Sequence, residues 1–287
     1  MIQSFLSSWA LFYQSYLTGW LISLLLSIIG VLVVARDQIF IGAAVSQAST
    51  LGIALTMWAA LAFHLERFSW FEPDVFFSVM AVIFSIRAAS ITGRGGETGK
   101  ESHEAITGWV FLISASLSIL IVSHSPHGLE EIHRLLSSSI IGATTSDIWT
   151  FSLLTLLTAL LILLFYRKIL LFTLDPSMAS AIGMKMKIWS LATSAWLGLA
   201  VGLSIRASGM LYTFGCLVLP ALVAKNLCRE VRHMFFAAPV VALLAGITGF
   251  VLANHYDYPT GQMTVALYCF LLVLVWIMRR LSNKSNL

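Results

Sequence analysis

The chain has 287 residues, of which 59% are hydrophobic and only 10% are charged, and its formal net charge is +4 at pH 7. Soluble domains carry about 25% charged residues, so this composition excludes a soluble protein and indicates an integral membrane protein. The basic residues lie between apolar runs, where they act as topology signals, and we therefore expect no nucleic-acid partner.

Nine apolar runs have the length needed to cross a membrane. A hydrocarbon core of roughly 30 Å needs about 20 helical residues at a rise of about 1.5 Å each. The nine predicted spans are residues 12–35, 39–63, 75–91, 105–123, 148–166, 188–205, 210–224, 234–253 and 262–278. The sequence thus predicts an all-α, polytopic helix bundle that forms a single transmembrane domain over residues 1–287.

The basic residues also set the expected orientation. With the N-terminus outside, 14 of the 17 Lys and Arg residues fall in cytoplasmic segments, and Arg67, Arg134 and Arg206 fall outside. Cytoplasmic segments are enriched in Lys and Arg, so this bias supports an outside N-terminus, an inside C-terminus and an odd number of spans.

The start of the second span is rich in small and polar residues, which is unusual for a helix that faces lipid. Small residues recur every four positions from Ala44 to Gly52 and allow another helix to approach closely. The amide of Gln47 needs a partner or water inside hydrocarbon. Two interpretations stay open: a helix that lines a transport pathway, or a tight packing face in which Gln47 joins two helices. The pathway-lining candidates are Ala43, Ser46, Gln47 and Thr50.

Ionisable residues flank the fourth span on both sides. At its inner start they could line or gate a pathway, or simply lie among lipid headgroups. On its outer side, three His and two Glu fall within ten residues. Imidazoles and carboxylates suit zinc, manganese or iron, although the outer group could equally be a solvated helix face with i,i+3 and i,i+4 pairs. The metal-ligand candidates are His103, Glu104, His124, His127, Glu130 and His133.

A short, moderately polar segment from Leu174 to Met184 separates the fifth and sixth spans. It is too short to cross a bilayer, and Asp175, Pro176 and Gly183 are residue types typical of the first and last positions of a helix. Basic residues flank it on both sides, which places it on the cytoplasmic face. The pattern predicts either a capped surface helix that contacts a soluble partner or an ordinary connecting turn.

Five segments in a consistent order resemble the membrane permease of ATP-binding-cassette transporters that import manganese, zinc or iron, the ABC-3 family. They are residues 41–54, 104–108, 175–183, 208–221 and 257–261. The resemblance extends from about residue 25 to the C-terminus. Its specificity comes from the order of the segments rather than from any one of them.

The resemblance implies a transport subunit that is not an enzyme and binds no cofactor of its own, with ATP hydrolysed on cytoplasmic ATPase subunits. A second permease copy or a paralogue, an extracytoplasmic metal-binding protein and membrane lipid would be its other partners in a bacterial cytoplasmic membrane. The segment at about 174–186 would then be the coupling helix that seats in the ATPase. The coupling residues would be Asp175, Pro176, Met178, Ala179, Ala181 and Gly183.

The second span departs from the family's pattern. Family members commonly carry Gly-Asp-x-x-x-His there, and the acid and the imidazole are proposed metal ligands. The corresponding positions are Ala43 and Gln47 here, which supply neither an anionic nor an imidazole donor. The family's metal site therefore does not carry over to this chain, and three explanations stay open: passage of a differently coordinated metal, a role as the less liganding half of a heterodimer, or reliance on other His and Glu residues.

The sequence also bears on two other classes of transporter and on one class of enzyme. Import of a chelated metal or siderophore suits a pore without hard ligands. A gradient-driven secondary transporter should place ionisable residues near the bilayer midplane, and the predicted spans are nearly free of them. An intramembrane enzyme would need paired Asp, or His pairs with Glu, inside the spans, and the sequence places none there.

Overall fold

The computed structural model describes residues 2–62, 73–93, 102–123 and 140–284. In this part of the chain every regular element is helical. A 3₁₀ helix, Ile140–Gly142, precedes the fifth α-helix. The α-helices in chain order are α1 (Ile2–Ala35), α2 (Phe40–Ala62), α3 (Pro73–Gly93), α4 (His103–Val122), α5 (Thr145–Leu174), α6 (Pro176–Ala181), α7 (Met186–Ser208), α8 (Met210–Leu227), α9 (Val231–Tyr256) and α10 (Thr260–Lys284).

Nine of the helices described, all except α6, are long and apolar enough to cross a membrane. This finding confirms the predicted all-helical, nine-span membrane protein. The helices run past the predicted spans, since α1 begins at Ile2 and α5 continues beyond Tyr166 to Leu174. Hydropathy marks only the part of a helix that lies in hydrocarbon, whereas backbone hydrogen bonding continues into the interface.

The chain folds into two compact units. Unit 1 comprises Met1–Asp37, Ser138–Asp175 and Leu211–Leu287, and unit 2 comprises Gln38–Ser137 and Pro176–Met210. Each unit is therefore built from stretches that are far apart in the sequence.

In unit 1, α1 packs against α5 and α9, and α9 packs against α10. Buried hydroxyls join these helices: Tyr268 Oη donates to the Ala242 carbonyl oxygen at 2.8 Å and lies 2.8 Å from Ser23 Oγ. Tyr212 Oη of α8 donates to the Gly19 carbonyl oxygen of α1 at 2.9 Å. In hydrocarbon, such interhelical hydrogen bonds satisfy polar groups that have no access to water, so they help to fix the helix register.

In unit 2, α3 packs against α7 and α2, and α2 also packs against α4. Two glycines of α7 bring its backbone close to α3. A Cβ added at Gly198 would lie 2.6 Å from the backbone of Ile86, and one added at Gly202 would lie 2.9 Å from Val82 Cα. These helices contact through small residues, as helices in membranes commonly do.

Candidate functional site

The four predicted pathway residues lie on the first part of α2, where the helix contacts α3, α4 and α7 within unit 2. Ser46, Gln47 and Thr50 are buried, and Ala43 is half-buried. The Thr50 hydroxyl donates to the Ser46 carbonyl oxygen at 3.2 Å, so it is satisfied within the helix. The structure therefore places the four side chains together over about two helical turns, with the amide of Gln47 inside the unit.

Close packing holds this part of α2 in place. A Cβ added at Gly52 would lie 2.6 Å from the Met80 carbonyl oxygen of α3. Ala48 and Ala44 are buried one and two turns earlier. The close approach that the small-residue spacing predicts is thus present at Gly52, and it leaves little room for α2 to shift against α3.

Several buried hydroxyls of unit 2 have no hydrogen-bond partner among the residues that the structure describes. Ser46 and Ser49 carry two of them on α2, and Ser85 of α3 and Ser204 of α7 carry two more. A buried polar group without a partner costs about 1–3 kcal/mol. Such groups mark places where a water molecule, an ion or a polar group of a partner would be stabilised.

The polar side chains on α2 determine which ligands this face of the helix could bind. The Gln47 amide and the serine hydroxyls are neutral oxygen donors, whereas first-row transition metals prefer imidazole, thiolate or carboxylate ligands. Neutral oxygens suit hydrogen bonds to the water shell of an ion or to the polar atoms of a chelate. These groups are therefore suited to hydrogen bonds with a solvated or chelated cation rather than to tight capture of a bare one.

His103 and Glu104 lie in the first turn of α4. Ser102 caps this helix by accepting a hydrogen bond from Ala105 N at 3.1 Å. Glu104 is exposed and His103 is half-buried, and residues adjacent in a helix do not face each other. Within the described ranges no group of three His, Cys, Asp or Glu residues is placed to hold a metal ion. The candidates His124, His127, Glu130 and His133 lie outside the residues that the structure describes.

The segment between the fifth and sixth spans contains α6, a helix of six residues from Pro176 to Ala181. Gly183 adopts a positive φ of 84°, its N–H donates to the Ser180 carbonyl oxygen at 3.0 Å, and Met184 N donates to the Ala179 carbonyl oxygen at 3.1 Å. These two bonds form a Schellman motif, which satisfies the last carbonyls of the helix. Asp175 itself caps the end of α5, where its N–H donates to the Leu171 carbonyl oxygen at 3.0 Å.

One face of α6 is anchored and another is open. Ala179 is fully buried, and α6 contacts α7. Met178 of α6 is 55% exposed, and Ile182, which follows the helix directly and lies one turn after Met178, is 62% exposed. Because α6 does not span the membrane, these two apolar side chains lie at a surface where burial against a partner protein would be favourable.

Replacing Gly183 with alanine is expected to loosen the end of α6. A left-handed backbone costs a residue with a Cβ about 1–2 kcal/mol, whereas no atom lies within 4 Å of the added methyl, so the effect is conformational. Hydrogen exchange followed by mass spectrometry should show the amide of Met184 exchanging about five- to thirtyfold faster. The control is Gly108→Ala in α4, where the added methyl also meets nothing within 4 Å and φ is not positive. Equal protection of Met184 in wild type and Gly183→Ala would contradict the role given to Gly183.

Sequence reasoning missed the contacts at the predicted cytoplasmic end of unit 1. Lys225 Nζ of α8 lies 2.6 Å from Asp37 Oδ1, just after α1, and Arg279 Nη1 of α10 donates to Asn226 Oδ1 at 3.1 Å. The Lys225 and Asp37 side chains are exposed, so this pair contributes no more than about 1 kcal/mol. The partners are 188 residues apart, and no local pattern indicates such a contact.

The family comparison covers most of the chain. The model of the ABC 3 transport family matches residues 8–279. The manganese transport system membrane protein MntB of Synechocystis sp. is 26% identical over 201 residues, which are 70% of this chain and 65% of that protein. The high-affinity zinc uptake system membrane protein ZnuB of Haemophilus influenzae is 22% identical over 262 residues, which are 91% of this chain and 95% of that protein.

A solved structure shares the fold. PsaBC from Streptococcus pneumoniae, determined in complex with Fab, superposes with a TM-score of 0.78 over 96% of this chain and 95% of the matched chain. The sequence identity is 18%, so this likeness describes the helix arrangement alone.

Proposed function

Because the chain belongs to the ABC 3 transport family, we propose that it is the permease subunit of an ATP-binding-cassette importer for a divalent transition metal in a bacterial cytoplasmic membrane. The observation that carries this proposal is the family match over residues 8–279 of a nine-span membrane protein. Relatives named for manganese and zinc transport supply the class of cargo. An extracytoplasmic binding protein would deliver the metal to the outer face.

The energy for transport would come from ATPase subunits on the cytoplasmic side, since this chain is the transport subunit. The segment best suited to contact them is α6, because Met178 and Ile182 are exposed while Ala179 anchors the helix to unit 2. The Schellman motif at Gly183 keeps the helix short and fixed, as a rigid contact with a moving subunit requires.

The transport pathway would run along the first part of α2, facing a second permease copy or a paralogue. Ala43 is half-buried in the single chain, so a second subunit could cover its remaining surface, whereas Gln47 is already buried within unit 2 and would reach the pathway from that interior. The neutral donors of this face favour a second candidate, import of a chelated metal, in which the chelator rather than the protein supplies the ligands.

Metal uptake tests the proposed function. Cells that lack this chain should lose accumulation of one metal among manganese, zinc and iron when all three are measured together by mass spectrometry. The loss should be restored by the wild-type chain supplied in trans, and an ATPase subunit should co-purify with the restored chain. If a chelated metal is the cargo, uptake of the free ion should be normal and uptake of the chelate should fall. Unchanged uptake of every free and chelated metal would overturn the proposal.

The same assay with Gln47→Leu separates the two roles that Gln47 could have. A pathway-lining amide predicts at least about a tenfold loss of uptake with an unchanged amount of folded permease. The matched control is Thr56→Val, since Thr56 is a buried polar residue later in α2 whose hydroxyl donates within its own helix, to the Gly52 carbonyl oxygen at 2.9 Å. A lower amount of folded permease with normal uptake per molecule would show that Gln47 joins helices instead.

A further inference from the structure

A groove lies at the predicted cytoplasmic end of unit 1, between α1, α5 and α9. Its volume is about 640 Å³, which falls within the range of about 300–1,000 Å³ typical of small-molecule sites. Ile28, Ala159 and Ile162 line its apolar part, and Phe235 and Phe236 of α9 form the opposite wall. Neither the metal pathway on α2 nor the coupling helix uses this groove.

A break in α5 lies beside the groove. Phe165 has non-helical backbone angles, φ −108° and ψ 16°, in the C-terminal third of a helix that otherwise runs from Thr145 to Leu174. The next residue, Tyr166, lines the groove and meets the Phe235 ring edge-on, with the ring centroids 6.4 Å apart. The aromatic pair thus ties α5 to α9 at one end of the groove, just where α5 changes direction.

The charged end of the groove is basic. Arg232 and His233 line it. The Arg232 guanidinium pairs with Glu230, but both side chains are more than half exposed, so the pair is weak and leaves guanidinium N–H groups for another acceptor. Three more exposed basic residues are close in sequence to the lining residues Tyr166 and Arg232, and no acidic residue besides Glu230 is. They are Arg167, Lys168 and Arg229.

The remaining surface of the groove is suited to hydrocarbon. Leu163 and Phe236 line it and are 75% and 79% exposed on helices that span the membrane. Among the lining residues described, polar side-chain atoms occur only on Tyr166, Arg232 and His233, which lie at one end. An inserted protein segment would need partners for its backbone groups along the whole groove, whereas an acyl chain needs none.

We propose that this groove binds one anionic phospholipid of the cytoplasmic leaflet. The phosphate lies beside Arg232 and His233, and one acyl chain runs along Ile28, Ile162 and Phe236. Basic pockets between membrane helices on the cytoplasmic side are sites of this kind, because the positive charge complements the headgroup while the helices complement the chain. The inference does not depend on which metal the permease carries.

Native mass spectrometry of the full-length permease tests this proposal. The purified chain is mixed with equal amounts of phosphatidylglycerol and phosphatidylcholine of the same acyl length. We expect one lipid to be retained, with phosphatidylglycerol preferred at least about fivefold, since a basic residue near the headgroup contributes about that factor. Arg232→Gln with His233→Gln should bring the preference close to one, and Ala159→Trp, which fills the groove, should remove the retained lipid of either kind.

Two matched controls separate the groove from the rest of the surface. Lys187→Gln removes one exposed basic residue from the predicted cytoplasmic side of unit 2 and should leave the preference unchanged. Leu164→Trp adds the same bulk to an exposed position of α5 that does not line the groove and should leave the lipid bound. The proposal is overturned if Ala159→Trp retains as much lipid as Leu164→Trp, or if Arg232→Gln with His233→Gln keeps the full preference for phosphatidylglycerol. It is also overturned if these variants change the fraction of permease dimer without changing the bound lipid.

Discussion

Replacing Gly30 with alanine is expected to remove most of the folded permease. A Cβ at this position would lie 1.8 Å from the carbonyl oxygen of Leu217 in α8, and the helices would have to separate by about 1 Å or more to accept it. The clash is with backbone, which cannot rotate away, so we expect a loss of about 3 kcal/mol or more in stability. The measurement is the amount of monodisperse protein on size-exclusion chromatography after solubilisation, followed over a temperature series.

Gly246→Ala is the matched control for this effect. Gly246 also lies in a helix of unit 1, but a Cβ there would meet Trp20 Cδ1 at 3.6 Å and the Tyr268 hydroxyl at 3.8 Å, which are ordinary contacts. Because alanine favours the helix over glycine by up to about 1 kcal/mol, this variant should be as stable as wild type or slightly more stable. Identical melting of the two variants would show that α1 and α8 do not approach as closely as described.

The double variant Met178→Asp with Ile182→Asp is expected to abolish transport without loss of the permease. Burying a Met or Ile side chain against a partner contributes about 1.5–3 kcal/mol each, and a carboxylate in its place must be stripped of water. Both residues are exposed in the single chain, so its own fold should tolerate the change. We expect at least a tenfold fall in metal uptake and in the ATPase that co-purifies, with an unchanged amount of monodisperse permease.

Two controls accompany this experiment. Met178→Leu with Ile182→Leu keeps the apolar surface and should retain uptake close to wild type. Lys185→Gln with Lys187→Gln makes the same change in net charge just after α6 and should affect ATPase binding less than the carboxylates do. Normal ATPase recovery with the double carboxylate would place the contact with the ATPase elsewhere on the cytoplasmic face.

The sequence predicted the elements of the fold far better than their packing. Runs of about 20 apolar residues identify membrane helices because the bilayer imposes their length, and all nine are present. The extension of α5 to Leu174 and its break at Phe165 were not predictable, since residues 161–171 contain no proline or glycine to signal a kink. The pairing of α1 with α9 depends on residues about two hundred positions apart, which hydropathy does not relate.

The candidate site, like the fold, was predictable from the sequence only in part. The small and polar residues from Ala43 to Thr50 were visible in the sequence because such residues are unusual in a membrane helix, and the structure places them in the interior of unit 2. The hydroxyls of Ser85 and Ser204, which have no partner among the described residues, were not predictable, since a serine in a membrane helix usually bonds to its own backbone. Whether Gln47 lines a pathway, and whether α6 seats in an ATPase, stay predictions for the experiments above.

Unit 1 combines segments from both ends of the chain, so its helices can pack together only late in synthesis. At a synthesis rate of about 5–20 residues per second, α1 enters the membrane about 10 s or more before α9, the helix against which it packs. The Ser23 hydroxyl lacks its contact with the Ala242 carbonyl until α9 is made, and its contact with Tyr268 until α10 is made. Unit 2 needs only the chain up to Met210. A ribosome that stops soon after Met210 therefore releases a product with all the segments of unit 2 but without the last stretch of unit 1, in which the first helix lacks the partners that Ser23 has in the complete chain.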